Sequence, residues 1–227
     1  MRARCYFCSK AFALDNIVAS SIEQFMESSK ATVSIKSLCV FCGSSPGGDP
    51  AYVSAAGELG QFLAGHQITL VYGGGRVGLM GALADAVLDS GGHVIGVIPE
   101  ALVAREVAHQ GLSDLRVVHS MHERKALMVE LADGFVAMPG GCGTLEEFLE
   151  VLTWAQLGLH TKPCALLNVL GYYDGLIALL GHAVTQRFVR VEHRDMILVA
   201  QTPAELLTRL SSYVPPNVPK WIDRTES

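Results

Sequence analysis

The stretch that decides the fold is Pro139-Gly140-Gly141-Cys142-Gly143-Thr144-Leu145-Glu146-Glu147. It follows the apolar run Gly134–Met138, which predicts a buried strand, and it precedes apolar residues at helical spacing. The glycine-rich turn therefore joins a strand to a helix. Its backbone N–H groups lie at the positive end of the helix dipole, where an anion such as phosphate binds. Because Glu146 and Glu147 lie beside that turn, the motif predicts chemistry on a phosphorylated small molecule.

Outward from this motif, short apolar runs alternate with helical patterns from residue 37 onward. Strands are predicted at 38–41, 68–72, 93–98, 115–118, 135–138, 164–169 and 197–199, and helices at 51–65, 79–88, 121–132, 145–157, 173–188 and 204–210. Near-continuous apolar strands alternating with helices predict a parallel sheet covered on both faces. We therefore expect a single doubly wound, Rossmann-like α/β domain, with ligands bound at the carboxyl ends of the strands.

Composition narrows the function further. The chain has 227 residues, of which 50% are hydrophobic and 17% charged, which predicts a folded globular protein. A formal net charge of −5 argues against nucleic acid as the main partner. No apolar run is long enough for a membrane span and no signal-peptide core is visible, so we expect a cytoplasmic protein.

The first 35 residues differ from the rest and are interpreted as an N-terminal extension, with residues 36–227 forming the main α/β domain. Because the organised pattern begins after Met26, that residue could be the true start codon. Two cysteine pairs, Cys5/Cys8 and Cys39/Cys42, resemble a zinc ribbon. The 30 residues between the pairs exceed the usual ~15–20, and buried, reduced cysteines are favoured. The eight histidines show no metal-ligand spacing, so no metal site is predicted.

Three shorter patterns, at residues 73–78, 120–125 and 144–147, each allow a structural interpretation. The run Gly73–Gly78 formally matches the dinucleotide-binding fingerprint, with Glu100 about 22 residues on. A tight turn is favoured, because the remaining chain offers no obvious second substrate region. Ser120 and Glu123 fit a capping box before the basic Arg124-Lys125 pair, which opposes the helix dipole and so suggests an anionic partner.

The residues Thr144 and Glu147 also fit a capping box, in which Glu147 would serve only to cap its own helix. Glu146 and Glu150 lie four residues apart on one helical face, where like charges repel. The acidic cluster therefore predicts that at least one of these carboxylates has a partner elsewhere in the fold.

Taken together, Met121-His122-Glu123-Arg124-Lys125 and the Pro139–Glu147 stretch resemble the paired signature of the Lonely Guy (LOG) family. Val40–Ser45, Tyr72–Gly75 and Thr153–Gly158 are also similar to that family. Its members are cytokinin riboside 5′-monophosphate phosphoribohydrolases, often mislabelled as lysine decarboxylases, and no pyridoxal-binding context supports the latter label here. The resemblance implies hydrolysis of the N-glycosidic bond of N6-modified adenosine 5′-monophosphates to free base and ribose 5-phosphate.

The resemblance implies Arg124 and Glu147 as the catalytic pair, no cofactor, and a homodimer or an assembly of dimers. It implies a substrate site formed by Glu106, Arg124, Lys125, Gly140, Gly141, Cys142, Gly143, Thr144, Leu145, Glu146, Glu147 and Thr153. Positive charge develops on the ribose during glycosidic cleavage, so a carboxylate such as Glu147 is suited to stabilise it and to activate water. Two alternatives stay open, namely a broader purine-monophosphate hydrolase that accepts AMP and a nucleotide-binding or carrier protein without turnover.

Overall fold

A computed structural model describes residues 34–103 and 108–216. The predictions for most of the N-terminal extension, for the start codon, for Cys5 and Cys8, and for Glu106 lie outside the described residues.

Seven parallel strands form one sheet in the order β4-β3-β2-β1-β5-β6-β7. The strands are β1 Ser37–Phe41, β2 Thr69–Tyr72, β3 Val94–Pro99, β4 Asp114–Val118, β5 Gly134–Ala137, β6 Cys164–Leu167 and β7 Ile197–Ala200. The predicted doubly wound, parallel α/β fold is confirmed. The chain runs from β1 to one side of the sheet and returns to add β5 on the other side. The adjacent ends of β1 and β5 are therefore the switch point at which such folds bind ligands.

The described part of the chain contains eight α-helices, seven of them between successive strands and one after β7. They are α1 Pro50–Gly65, α2 Gly78–Asp89, α3 Glu100–Val103, α4 Met121–Leu131, α5 Cys142–Gln156, α6 Asp174–Thr185, α7 Val191–Asp195 and α8 Pro203–Ser211. The short helices α3 and α7 were not predicted, because four or five residues are too few to display a helical period. Within the two described ranges, no helix has the length and apolar character that a membrane crossing requires.

The segment after β6 differs from its prediction. The expected strand to Val169 ends at Leu167, and residues Val169–Gly171 form a 3₁₀ turn instead. The buried Asn168 directs this change, since its side-chain oxygen accepts the N–H of Tyr173 and its amide donates to Asp174. These local bonds compete with continued strand pairing, and they delay the start of α6 to Asp174.

The core has two layers, one on each face of the sheet. In β1, Leu38 and Val40 face the layer formed with α1, α2 and α8, whereas Cys39 and Phe41 face the layer formed with α4 and α5. This alternation follows from the two-residue period of a strand. It places both faces of the central strands in the interior, which is why these strands are almost entirely apolar, whereas the edge strand β4 carries Asp114 and Arg116.

The same alternation bears on whether Cys39 and Cys42 belong to a zinc ribbon. Cys39 and Cys42 lie in different core layers. Burial raises the pKa of both thiols, with the charge of Glu147 adding to the effect, so both are held as neutral thiols. A zinc ribbon requires both thiols of a pair to face one metal ion, and thiols in different core layers do not fit that requirement.

Candidate active site

A cavity of about 400 Å³ opens at the switch point between β1 and β5. Its wall combines the loop after β1, the start of α5 and the first turn of α4. The lining residues are Cys42, Gly43, Ser44, Met80, Leu102, Met121, Arg124, Gly141, Cys142, Gly143, Thr144, Glu146 and Glu147. The volume is within the range of small-molecule sites, and the wall contains both charged and apolar groups.

The start of α5 decides between two readings of Glu147. The helix begins at Cys142 with Gly141 as its N-cap, and no side chain caps it. Thr144 is therefore inside the first turn and buried. The capping-box interpretation of Thr144 and Glu147 is wrong, because the glycine-rich turn enters the helix three residues earlier than predicted. Glu147 consequently lies in the second turn and not three residues after the N-cap, where a capping-box carboxylate stands.

Arg124 and Glu147 meet across the cavity wall. Nη2 of Arg124 lies 3.5 Å from Oε1 of Glu147, and the two side chains are only 7% and 14% exposed. A glycine makes this arrangement possible, because a Cβ at position 73 would lie 2.2 Å from the same Nη2 atom. Two elements far apart in the chain, α4 and α5, thus bring a guanidinium and a carboxylate together in a sheltered position next to the helix start.

Lys125 points to a different set of carboxylates. Its Nζ lies 2.7 Å from Glu146 and 2.8 Å from Glu150 on α5. Burial by itself would lower the pKa of Lys125, but hydrogen bonds and charge attraction from the two glutamates outweigh it and raise that pKa. The predicted partner of the acidic cluster is therefore Lys125, and this contact links α4 to α5.

The N-terminal end of α4 has the capping contacts predicted for Ser120 and Glu123. The Ser120 hydroxyl accepts the N–H of Glu123 at 3.1 Å, and the Glu123 carboxylate accepts the N–H of His119 at 2.8 Å. These bonds satisfy groups that a helix start leaves unpaired. They hold the first turn of α4, and with it Arg124, in register with the cavity.

Several predicted site residues lie in the cavity wall and others do not. Arg124, Glu146, Glu147 and the run 141–144 line the cavity, whereas Lys125, Leu145 and Thr153 are not among its lining residues. The Thr153 hydroxyl donates to the Leu149 carbonyl on its own helix. Gly140 lines a neighbouring cavity of about 300 Å³ that shares Gly43, Ser44 and Gly141 with the first.

Sequence reasoning missed residues on both cavities. Met80, Leu102 and Met121 give the first cavity an apolar side. Tyr52 and Tyr172 line the second cavity, and their rings pack edge to face with centroids 5.9 Å apart. None of these residues stands in a spacing that could have singled it out. Met121 alone belongs to a recognisable motif, the one that opens α4.

The run Gly73–Gly78 has a structural purpose. Gly73 makes room for the Arg124 guanidinium, and Gly78 has a φ of +61° and packs against the Ser44 backbone, where a Cβ would lie 2.3 Å from its carbonyl carbon. The space that these glycines leave is filled by the protein's own atoms. The tight-turn interpretation is therefore favoured over a dinucleotide fingerprint.

Comparison with known proteins adds independent findings. A family model described as "Possible lysine decarboxylase" matches residues 80–210. The cytokinin riboside 5′-monophosphate phosphoribohydrolase LOG of Oryza sativa subsp. japonica is 52% identical over 178 residues, which cover 78% of this chain and 74% of that protein. The cytokinin riboside 5′-monophosphate phosphoribohydrolase of Rhodococcoides fascians is 53% identical over 175 residues, covering 77% and 88%.

A solved structure supports the fold. The molybdenum cofactor binding protein from the phototrophic bacterium Rippkaea orientalis superimposes with a TM-score of 0.60 at 21% identity, covering 80% of this chain and 98% of that one. At this identity the likeness concerns the fold alone.

Proposed function

This chain belongs to the Lonely Guy family of cytokinin riboside 5′-monophosphate phosphoribohydrolases, and we propose that Glu147 and Arg124 carry out its reaction. The protein is an N-glycosidase. It hydrolyses the bond between an N6-modified adenine and ribose 5-phosphate, and it releases the free base. The observation that carries the proposed roles is the sheltered Arg124–Glu147 pair beside the start of α5.

Glu147 is the group that acts on the ribose. When the glycosidic bond breaks, positive charge develops on the sugar, and a nearby carboxylate stabilises that charge. The same carboxylate can accept a proton from the attacking water. Its position in the cavity wall, with little exposure to solvent, strengthens both effects because water screens it less.

Arg124 orients Glu147. Its guanidinium is 3.5 Å from the carboxylate and is confined on its other side by Gly73. Holding a reacting group in one geometry removes part of the entropic cost of reaching the transition state. The guanidinium also places a positive charge in the cavity, where the substrate phosphate is negative.

The start of α5 holds the 5′-phosphate. The first N–H groups of a helix have no acceptor within that helix, and they point toward an anion placed before it. With the phosphate at residues 141–144 and the ribose beside Glu147, the base extends toward Met80, Leu102 and Met121. This apolar side of the cavity suits an adenine that carries an apolar N6 substituent.

A substrate panel tests this function. The protein is incubated with N6-isopentenyladenosine 5′-monophosphate, with AMP and with the unphosphorylated isopentenyl riboside, and released bases are resolved by chromatography. We expect isopentenyladenine from the first substrate and far less from the riboside, which lacks the phosphate. Equal turnover of AMP would favour the broader purine-monophosphate hydrolase, and no base from any substrate would refute an enzymatic function.

We further propose that the protein is a homodimer, with α6 at the contact between subunits. This helix is rich in Leu, Ile, Val and Ala, yet it contains no buried residue. Leu179 is 62% exposed, and Phe188 just beyond the helix is 87% exposed. Exposed apolar side chains grouped in this way are typical of an interface with another protein surface.

A cytoplasmic location is the last part of the proposal. Cys39, Cys42, Cys142 and Cys164 are all free cysteines, as expected for a protein of a reducing compartment. Fractionation of cells that express the full chain with a C-terminal tag would test this location. Recovery with membranes or in an oxidising compartment would contradict it.

A further inference from the structure

The turn between β5 and α5 comprises residues 138–141, and three of its four carbonyl groups are held by donors outside the turn and α5, while the Gly141 carbonyl accepts the N–H of Leu145 in α5. The Met138 carbonyl accepts the Tyr173 hydroxyl at 2.6 Å, and the Pro139 carbonyl accepts the Gly43 N–H at 3.0 Å. The Gly140 carbonyl accepts the Tyr172 hydroxyl at 2.5 Å. Each donor therefore fixes the orientation of one peptide group in the turn.

This anchoring determines where the N–H groups of the turn point. In a trans peptide the C=O and the following N–H point in opposite directions. With the Pro139 carbonyl held by Gly43, the N–H of Gly140 points away from Gly43. With the Gly140 carbonyl held by Tyr172, the N–H of Gly141 points away from Tyr172. An anion site needs this arrangement, because carbonyl oxygens repel an anion and N–H groups attract it.

Tyr172 is placed for this contact by an unusual stretch of backbone. The two residues before it, Leu170 and Gly171, both have positive φ angles, of 52° and 71°. A leucine in this conformation is uncommon, and such residues concentrate at functional sites. The Tyr172 ring then packs edge-on against Tyr52 at 5.9 Å and against Tyr173 at 5.1 Å.

The two tyrosines differ in their surroundings. Tyr173 is buried in the core, so its hydroxyl bond to Met138 serves the stability of the fold as well as the turn. Tyr172 is 43% exposed and lines the second cavity. An exposed tyrosine contributes less to the core, and its hydroxyl bond to Gly140 holds only the turn.

We propose that Tyr172 is a positioning residue for the substrate phosphate. It fixes the Gly140–Gly141 peptide so that the Gly141 N–H faces the anion rather than the Gly140 carbonyl. This inference rests on the proposed function, in which the phosphate binds at the start of α5. Tyr172 itself touches neither the ribose nor the reacting bond.

Binding of ribose 5-phosphate tests the inference without any requirement for catalysis. Isothermal titration calorimetry measures the dissociation constant of ribose 5-phosphate for the full chain, in the wild type and in Tyr172→Phe. This substitution removes only the hydroxyl. Losing a bond of this kind is expected to weaken ribose 5-phosphate binding about two- to tenfold. Binding of free isopentenyladenine is expected to stay the same, since the base does not contact the turn.

Tyr213→Phe is the matched control. It also removes one tyrosine hydroxyl, but Tyr213 lies after α8, lines neither cavity and takes part in none of the three carbonyl anchors. We expect this variant to bind both ligands as the wild type does. Unchanged ribose 5-phosphate binding in Tyr172→Phe would overturn the proposal, and so would an equal loss for ribose 5-phosphate and the free base.

Steady-state kinetics separate this proposal from the proposed function. For N6-isopentenyladenosine 5′-monophosphate, Tyr172→Phe is expected to raise KM by the same factor while kcat changes little. A wild type that releases no base would refute the proposed function while the titration still decides the role of Tyr172. A wild type that is active and a Tyr172→Phe variant with unchanged KM would refute the role of Tyr172 alone.

Discussion

Replacing Gly73 with alanine should separate Arg124 from Glu147 without unfolding the protein. A Cβ at position 73 would lie 2.2 Å from Nη2 of Arg124, whereas its contact with the Met80 sulfur, at 3.5 Å, is ordinary. The clash therefore falls on the end of one flexible side chain. Gly73 is not one of the glycines with a positive φ, so alanine can adopt its backbone conformation.

The size of the effect follows from the distances. Moving Nη2 from 2.2 Å to the 3.4 Å at which ordinary contact begins requires a shift of about 1.2 Å. The guanidinium would then leave its position 3.5 Å from the Glu147 carboxylate. A misplacement of about 1 Å in a catalytic arrangement can reduce the rate on the order of 10²-fold. We expect a decrease of that order in kcat/KM, with a change of less than about 1 kcal/mol in the free energy of unfolding.

The assay is release of isopentenyladenine from its riboside 5′-monophosphate, measured together with thermal unfolding. Gly57→Ala is the control, because Gly57 lies within α1 and a Cβ there has nothing within 4 Å. That variant should keep full activity and gain up to about 1 kcal/mol of stability, since alanine suits a helix better than glycine. Full activity in Gly73→Ala would refute the reasoning, and so would a loss of activity explained by unfolding.

Three further outcomes are expected. Glu147→Gln should lower kcat about 10²–10⁴-fold in the base-release assay with little change in melting temperature, and retained turnover would contradict its catalytic role. Lys125→Met should lower the free energy of unfolding by about 1–3 kcal/mol in urea titrations, less than for a fully buried pair because Glu146 is 55% exposed. Because the folded-state pKa of Lys125 is raised above 10.5, the stability advantage of the wild type should hold from neutral pH up to pH 10.5 and shrink as the pH rises through the folded pKa. Leu179→Asp should convert the dimer to a monomer in light scattering, whereas Val214→Asp, exposed outside α6, should not, and a wild type that is monomeric would refute the interface.

Much of the fold was predictable because its signals are local. The seven strands and six of the helices each carry an apolar pattern that is visible within a few residues. The ends of the helices were harder to predict from the sequence. The start of α5 was misplaced because Gly141 is its N-cap while Thr144 looks like a better one. What excludes Thr144 is packing, since its side chain is buried against Gly140.

The sequence by itself determined the fold class of the protein, the order of its strands along the chain, and a glycine-rich turn with carboxylates beside it, which predicts a phosphate site. Only the tertiary structure decided which charged side chains pair with each other. Arg124 faces Glu147, and Lys125 faces Glu146 and Glu150, although α4 and α5 are separated by a strand in the sequence. No local spacing encodes such pairs, because they depend on β5 joining β1 at the switch point and on glycines that leave room for neighbouring side chains.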